Sequence, residues 1–188
     1  MGAKKHLEAV QEYFSKSPVV NSASLQRLIQ SRTKNTQYHK QLLRNLARKG
    51  VLRKLAQGCY TIHAEASLAV LCFTPAYLGL EDALSHHGMW EQETISIIIT
   101  TRKVRQGLRT FEGTNYLVRR IDKKYYFGVD YYQIGEFYLP YSDKEKTFLD
   151  VLYFKLKFSS EELREMVQGL DKKKLNAYLK NYPERMRK

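Results

Sequence analysis

The stretch from Asn35 to Ile62 limits the architecture more than any other part of the chain. Leu42, Leu43 and Leu46, with His39 one turn earlier, recur at helical spacing and turn one side of a helix inward. Asn35 supplies a capping residue at its start, Gly50 a stop, and Arg48-Lys49 cations at the carboxyl end of the helix dipole. Val51 to Leu55 and Cys59 to Ile62 then flank Ala56-Gln57-Gly58, the pattern of two short strands about a glycine turn. Two further helices are readable upstream. Ala3, Leu7, Val10 and Phe14 share a face that runs out near Ser15-Lys16-Ser17-Pro18, and Asn21-Ser22 opens a second helix carrying Leu25, Leu28 and Ile29. Three helices followed by a hairpin predict a winged helix-turn-helix over residues 1–63.

Charge falls unevenly along the chain. Residues 1–63 hold twelve Lys/Arg against Glu8 and Glu12 alone, residues 64–158 hold twelve of each sign, and residues 159–188 hold eight against five, within a net charge of +13. A field concentrated in one third of a chain suits a polyanion partner, because neutralising phosphates releases their counterions. On the outward side of the third helix lie Gln37, Gln41, Arg44 and Arg48, flanked by Lys40 and Asn45. Gln and Arg make paired hydrogen bonds to adenine and guanine edges in the major groove. In a helix-turn-helix, the amino-terminal part of the second helix approaches the bases. Thr36, Gln37, Lys40, Gln41 and Arg44 are therefore expected to read bases, with Arg32, Lys34, Arg48, Arg53 and Lys54 gripping the backbone. A solvated polar face is the alternative reading of the helix alone; the hairpin and the charge weigh against it. The expected partner is double-stranded DNA; were its operator an inverted repeat, half-site reading would place two copies on it, a homodimer on the DNA but not one in solution.

Residues 64–188 read as a mixed α/β domain, which makes the whole chain α+β. Ala66 to Phe73 is apolar except for Ser67, and fits either a buried helical turn or a strand. Leu80, Ala83, Leu84 and His87 repeat at helical spacing up to Gly88. Glu93 to Thr100 is rich in β-branched residues and is expected to be a strand. Further strands are expected near 107–111, 114–120, 124–130 and 134–139, with Gly113, Gly128 and Gly135 as bends, giving a small antiparallel-rich sheet. Ser142-Asp143-Lys144-Glu145 resembles a capping box, opening a helix with Phe148, Leu149, Leu152 and Tyr153. Two short helices follow, near 159–168 and 171–181, and Pro183 to Lys188 are expected to fray. The many tyrosines between Tyr125 and Tyr141 are expected to pack the sheet rather than to stack on bases.

Chemistry-bearing patterns are scarce. Cys59 and Cys72 are expected to be separate core thiols rather than a disulfide or a metal pair. His86-His87 has no further ligands at zinc spacing, and His87 is expected to be a hydrogen-bonded core histidine. There is no Gly-x-Ser-x-Gly, Walker loop or dinucleotide fingerprint. No catalytic residue, metal or cofactor is expected, so the chain is read as a non-enzyme. No apolar run reaches eighteen residues and no signal peptide is evident, so a cytoplasmic location without membrane contact is expected.

Several segments resemble one family. Ala76-Tyr77-Leu78-Gly79-Leu80-Glu81-Asp82-Ala83-Leu84-Ser85-His86-His87-Gly88 looks like a helix signature of AbiEi-type antitoxins, transcriptional autoregulators of type IV (abortive-infection) toxin–antitoxin systems. Ile97-Ile98-Ile99-Thr100-Thr101-Arg102, Tyr126-Phe127-Gly128 and Gly58-Cys59-Tyr60 fit the same pattern. Tyr141 to Asp150 is similar to the family's Ser-x-Glu-Lys-x-Leu-x-Asp helix. Gly79 stands where a small hydroxyl residue is commoner, and Thr147-Phe148 replaces the usual Ala-Leu. The resemblance covers about residues 5 to 155. It implies an amino-terminal repressor of its own operon, acting at inverted repeats. It also implies a carboxyl-terminal antitoxin domain that counteracts a nucleotidyltransferase-like toxin without a stable complex. A basic neutralising surface is implied too, for which Arg102, Lys103, Arg105 and Arg109 are the candidates. The alternative is a stand-alone winged-helix regulator whose second domain senses a ligand or dimerises.

Overall fold

A computed structural model describes Phe14, residues 17–30 and residues 38–186. The fold is mixed α and β, and it divides into two compact units, one ending at Cys72 and the other beginning at Phe73. The expected first helix lies outside the described residues apart from Phe14, which is helical and buried.

The first unit contains β1 (Val20–Asn21), α1 (Ser22–Gln30), α2 (Tyr38–Arg48), β2 (Arg53–Ala56) and β3 (Cys59–Thr61). Asn21 caps α1, its Oδ1 accepting the Ser24 N–H at 2.8 Å, so the chain leaves a strand and enters a helix within one residue. The three strands form a sheet in the order β1-β3-β2. Gly58, at φ 70°, makes the turn between β2 and β3, in the left-handed region that glycine enters without a Cβ clash. Phe14, Val20, Leu25, Leu42, Leu43, Leu46 and Leu52 form the core. Cys59 and Cys72 are joined in a disulfide, which corrects the expectation of two separate thiols: the sheet brings Cys59 within 5.9 Å (Cα–Cα) of the end of a 3-10 segment, Ala66–Phe73. Their spacing in the sequence carries no sign of this approach.

The second unit contains β4 (Ala76–Leu78), α3 (Glu81–His86), β5 (Ser96–Thr100), β6 (Gly107–Phe111), β7 (Thr114–Arg120), β8 (Val129–Ile134) and β9 (Phe137–Ser142). Then follow α4 (Lys144–Tyr153), α5 (Ser160–Gln168) and α6 (Lys172–Leu179). Its sheet has six strands in the order β6-β7-β5-β4-β9-β8. Three of the neighbouring pairs are antiparallel, while β5·β7 and β4·β9 are parallel. The strands expected at 107–111 and 114–120 stand where their β-rich runs end at Gly113. The strand expected at 124–130 is instead a short 3-10 turn, Lys123–Tyr125, followed by β8. Gly128, at φ 61°, bends the chain between them, and a Cβ there would lie 2.8 Å from both Asp143 Oδ2 and Tyr178 Cε2. The strand expected at 134–139 is β9, displaced by Gly135 at the turn of the β8–β9 hairpin.

Gly79 stands at a closely packed point of the second unit. An added Cβ would meet Ile99 Cδ1 at 2.7 Å and Tyr77 Cε2 at 3.1 Å, so the buried Ile99 side chain would have to shift to admit one. Leu80 follows at φ 57°, a costly conformation for a branched residue, and its side chain is wholly buried in the core. That core runs from Tyr77, Ile97 and Ile99 on the sheet to Leu84, Phe148, Leu149, Val151, Met166, Leu170 and Tyr182 on the helical side.

Helix α4 is enclosed over most of its length, with Glu145 to Val151 all buried. Asp143, rather than Ser142, is its cap, accepting the Lys146 N–H at 2.8 Å. The ammonium of Lys146 donates to Asp150 one turn on, and to the hydroxyls of Tyr77 and Tyr182 at 2.9 Å each. Asp150 also accepts from Tyr77 at 2.6 Å and from Tyr182 at 2.7 Å. Burial pulls the Lys146 ammonium below its ordinary range, and Asp150 opposes that pull. Removing one charge strands the other, so Lys146→Met is expected to cost about 3–5 kcal/mol. Adding Asp150→Asn should return part of the loss, because the amide oxygen still accepts from the tyrosines. Urea unfolding followed by circular dichroism measures both; a single variant within about 1 kcal/mol of wild type contradicts the role given to the pair.

Candidate nucleic-acid interface

Helix α2 presents the side expected from its leucines. Leu42, Leu43 and Leu46 are buried, while Gln41, Arg44, Ala47, Arg48 and Lys49 are exposed. The outward polar residues are linked: Asn45 Oδ1 accepts from Gln41 Nε2 at 3.2 Å and lies 3.5 Å from Arg48 Nη2. This arrangement holds an amide and a guanidinium along one helical ridge, with Arg44 beside them. Lys40 belongs to α2, but its side chain, like Arg32, Lys34, Thr36 and Gln37, lies outside the described residues.

On the adjoining hairpin, Lys54 is exposed and pairs across the sheet with Tyr60. Arg53 is half-buried, and its Nη1 donates to the Ile62 carbonyl at 3.3 Å, so it is less free to meet a phosphate than Lys54. Arg27 adds an exposed cation on α1. From Phe14 to Ala64 the sequence contains no Asp or Glu. The cations of α1, α2 and the hairpin therefore have no carboxylate within their own segment, and their field extends into solvent.

The second unit carries another basic surface, partly beyond what the sequence suggested. Arg102, Lys103 and Arg105 are exposed on the β5–β6 loop, and Arg109 Nη2 donates to the Arg105 carbonyl at 2.8 Å while its guanidinium lies 4.9 Å from the Phe73 ring centre. Parallel pairing of β5 with β7 sets Thr100 beside Arg120, so both strands deliver their carboxyl ends to the same side. Gln106 Oε1 accepts the Arg120 N–H at 2.9 Å, which fastens the loop to the end of β7. Exposed Arg120 is thereby brought beside the loop that carries Arg102, Lys103 and Arg105, while Lys123 and Lys124 are exposed on the turn that follows β7. Arg105 and Arg109 are in contact, Arg102 and Lys103 are exposed on the same loop, and Arg120, which the sequence reading did not include, stands beside that loop. Only the crossover that makes β5 and β7 neighbours unites segments so far apart in sequence.

His86 and His87 sit in an aromatic cluster. The His86 ring stacks on Tyr141 at 4.2 Å, Tyr132 packs edge-on, and His87 Nε2 lies 2.7 Å from the Ser142 carbonyl. His87 is hydrogen-bonded as expected, but it is half-buried at the carboxyl-terminal cap of α3 rather than in the core. Among the described residues, no three or more His, Cys, Asp or Glu side chains come together as metal ligands. The cavity beside His86 is lined by Asp82, Ser85, Glu93, Thr94, Ile134 and Tyr141, none of them a cation. Burial pushes the Asp82 carboxyl up to about 7, although the Ile97 N–H at 3.1 Å and the Tyr141 hydroxyl favour its ionised form. Burial and His87 push His86 the other way, below its ordinary value.

No family model and no curated protein matches the chain, so its site is read from its own geometry.

The Asp82 shift sets a pH dependence. Between the unfolded carboxyl value near 4 and the folded value of about 7, the native state binds more protons than the unfolded state, so Asp82 lowers stability as pH rises through that window. His86, depressed when folded, acts oppositely and only below its ordinary value. Asp82→Asn keeps an acceptor for Ile97 and removes the titration. Its melting temperature should exceed that of wild type by a margin that widens by about 5–10 °C from pH 5 to pH 8. Thermal melts across that range measure the margin, and a constant difference contradicts the assignment.

Proposed function

We propose that the chain is a cytoplasmic DNA-binding autorepressor and antitoxin. Its first unit acts as a winged helix-turn-helix on an operator with inverted repeats, and its second unit counteracts a nucleotidyltransferase-like toxin. The observation that carries the DNA half is the exposed Gln41–Arg44–Arg48 ridge of α2, beside a hairpin bearing Lys54, in a segment without a single carboxylate. Arg44 offers a bidentate fork for a guanine edge, and Gln41 an amide for adenine. Lys54, Arg27 and Lys49 are point charges suited to phosphates, and they set the register of the helix on the duplex. Two copies on the two halves of an inverted repeat match a helix that reads one half-site.

The antitoxin half draws on the resemblance to AbiEi-type proteins and on the basic surface at the carboxyl ends of β5 and β7. A cationic surface that makes no lasting complex acts best on a shared polyanion or on an acidic face of the opposing enzyme. Arg102, Lys103, Arg105 and Arg109 are its centre in this reading, and Arg120, Lys123 and Lys124 extend it.

Binding to a duplex spanning the promoter of the chain's own gene, compared with random duplex, separates the roles within the first unit. Arg44→Ala should cost about 1–3 kcal/mol on the promoter and little on random DNA. Lys54→Ala should weaken both alike and lower the salt slope by about one phosphate contact. Equal losses on both duplexes for both variants would contradict the division of roles. For the second unit, co-expression with the neighbouring nucleotidyltransferase gene should restore growth. The charge-reversed chain Arg102→Glu/Arg105→Glu/Arg120→Glu should fail to do so at equal abundance; undiminished rescue by that variant removes this surface from the mechanism.

A further inference from the structure

The two edges of the six-stranded sheet differ in kind. β6 forms one edge; it opens on Gly107 at φ 124°, bears Arg109, and follows Arg105 closely. β8 forms the other edge and pairs with β9 in an unbroken register, from Val129↔Ser142 to Ile134↔Phe137. Among the described residues, no strand takes up the backbone N–H and C=O groups on its other side. Sheets ordinarily blunt such an edge with lysine, proline, a bulge or a covering element. β8 contains no Lys, Arg, Pro or Gly, its ladder has no bulge, and its Asp130, Tyr131 and Gln133 are exposed. Tyr131 and Tyr138, at 64% and 63%, are the most exposed large hydrophobic side chains among the described residues. They share a face, since Tyr138 stands opposite Gln133, two residues along β8 from Tyr131.

Charge favours one occupant for this edge. The chain carries +13, so two copies repel over most of their surfaces. From Tyr125 to Asp143, however, there is no Lys or Arg, and the β8–β9 hairpin holds Asp130 and Glu136 as its charged residues. Those carboxylates attract the positive field of an approaching copy instead of adding to it. A two-fold axis perpendicular to the sheet sets β8 antiparallel to itself and keeps each side chain on its own face. Centred on Tyr131, that pairing places Tyr131 against its counterpart, Val129 against Gln133, and Asp130 against Tyr132, whose hydroxyl is a donor. Centred on Tyr132, it would set the Asp130 carboxylate against the hydrocarbon of Ile134. No pairing of either kind brings two carboxylates face to face.

We propose that β8 is a dimerisation edge, on which a second copy of this chain adds its own β8 antiparallel with Tyr131 at the two-fold axis. The two sheets then run as one. Pairing of the strands, with the exposed tyrosines beside them, buries on the order of 1,000 Å², the lower end for a specific contact. The dimer is therefore weak and concentration-dependent. Half-site reading of an operator calls for no dimer in solution, so the pairing rests on β8 alone.

The experiment uses the full chain without DNA, so its outcome leaves the operator reading untouched. Sedimentation equilibrium from about 2 to 300 µM should show the mass rising from one chain toward two. Tyr131→Lys sets like charges against each other at the axis and should weaken association at least about tenfold. Leu108→Lys, on the opposite edge strand, should leave it unchanged. Hydrogen exchange of the wild-type chain, which stands whether or not a variant folds, should slow about tenfold over residues 129–134 when the chain is associated. Residues 107–111 should exchange alike at both concentrations. A mass that stays at one chain throughout, a Tyr131→Lys dimer as tight as wild type, or β8 exchange indifferent to association would each overturn the proposal.

Discussion

A lysine and an aspartate, one helical turn apart and without contact with water, organise the second unit. Lys146 and Asp150 are each tolerable in the core only because the other is there and because Tyr77 and Tyr182 complete their hydrogen bonds. Tyr77 comes from the centre of the sheet and Tyr182 from beyond α6, so one charge pair requires strand, helix and carboxyl-terminal segment to be in register at once. The aromatic rings of Tyr125, Phe127 and Tyr153 close around the same point, with Tyr125 stacked on Tyr182 at 4.9 Å. Such an arrangement favours one packing of the helices over near alternatives, since a small slip would expose an unpaired charge to hydrocarbon.

With its frame fixed in this way, the second unit can carry cations at its margin. Ile121, just past β7, belongs to that core, while Arg102, Lys103 and Arg105 on the loop after β5 and Arg120 at the end of β7 are exposed. The first unit solves a different problem. Its helices and strands close around one cluster of buried apolar residues, and the cations on their surface lack carboxylates in their own segment. Repulsion among those charges opposes compactness, and a bound polyanion would relieve it.

How much of this was legible in the sequence depends on the range of the interaction. Leu42, Leu43 and Leu46 announced the buried side of α2, and therefore the exposure of Gln41 and Arg44, because a helix maps three- and four-residue spacing directly onto a face. Gly113 between two β-rich runs marked the β6–β7 hairpin for the same local reason. Ala76–Leu78 was hidden: a three-residue strand in the middle of a sheet is too short for periodicity and merged with the helical pattern that follows it. Residues 124–130 read as one strand, whereas the chain makes a 3-10 turn over Lys123–Tyr125 and bends at Gly128 before β8 begins. The disulfide, the parallel pairing of β5 with β7 and the inward direction of Lys146 are all long-range outcomes. For Lys146 the local signal even points the wrong way, since a lysine in a helix ordinarily marks the solvent side.

The central claim is that the carboxylate-free segment lies along a nucleic-acid backbone. Its most direct measurement is the dissociation constant of the full chain for its own promoter duplex across a salt series. The account predicts a linear fall of log affinity with log salt, with a slope corresponding to about five or more neutralised phosphates. An affinity that barely changes with salt, or no measurable binding at low salt, would contradict it.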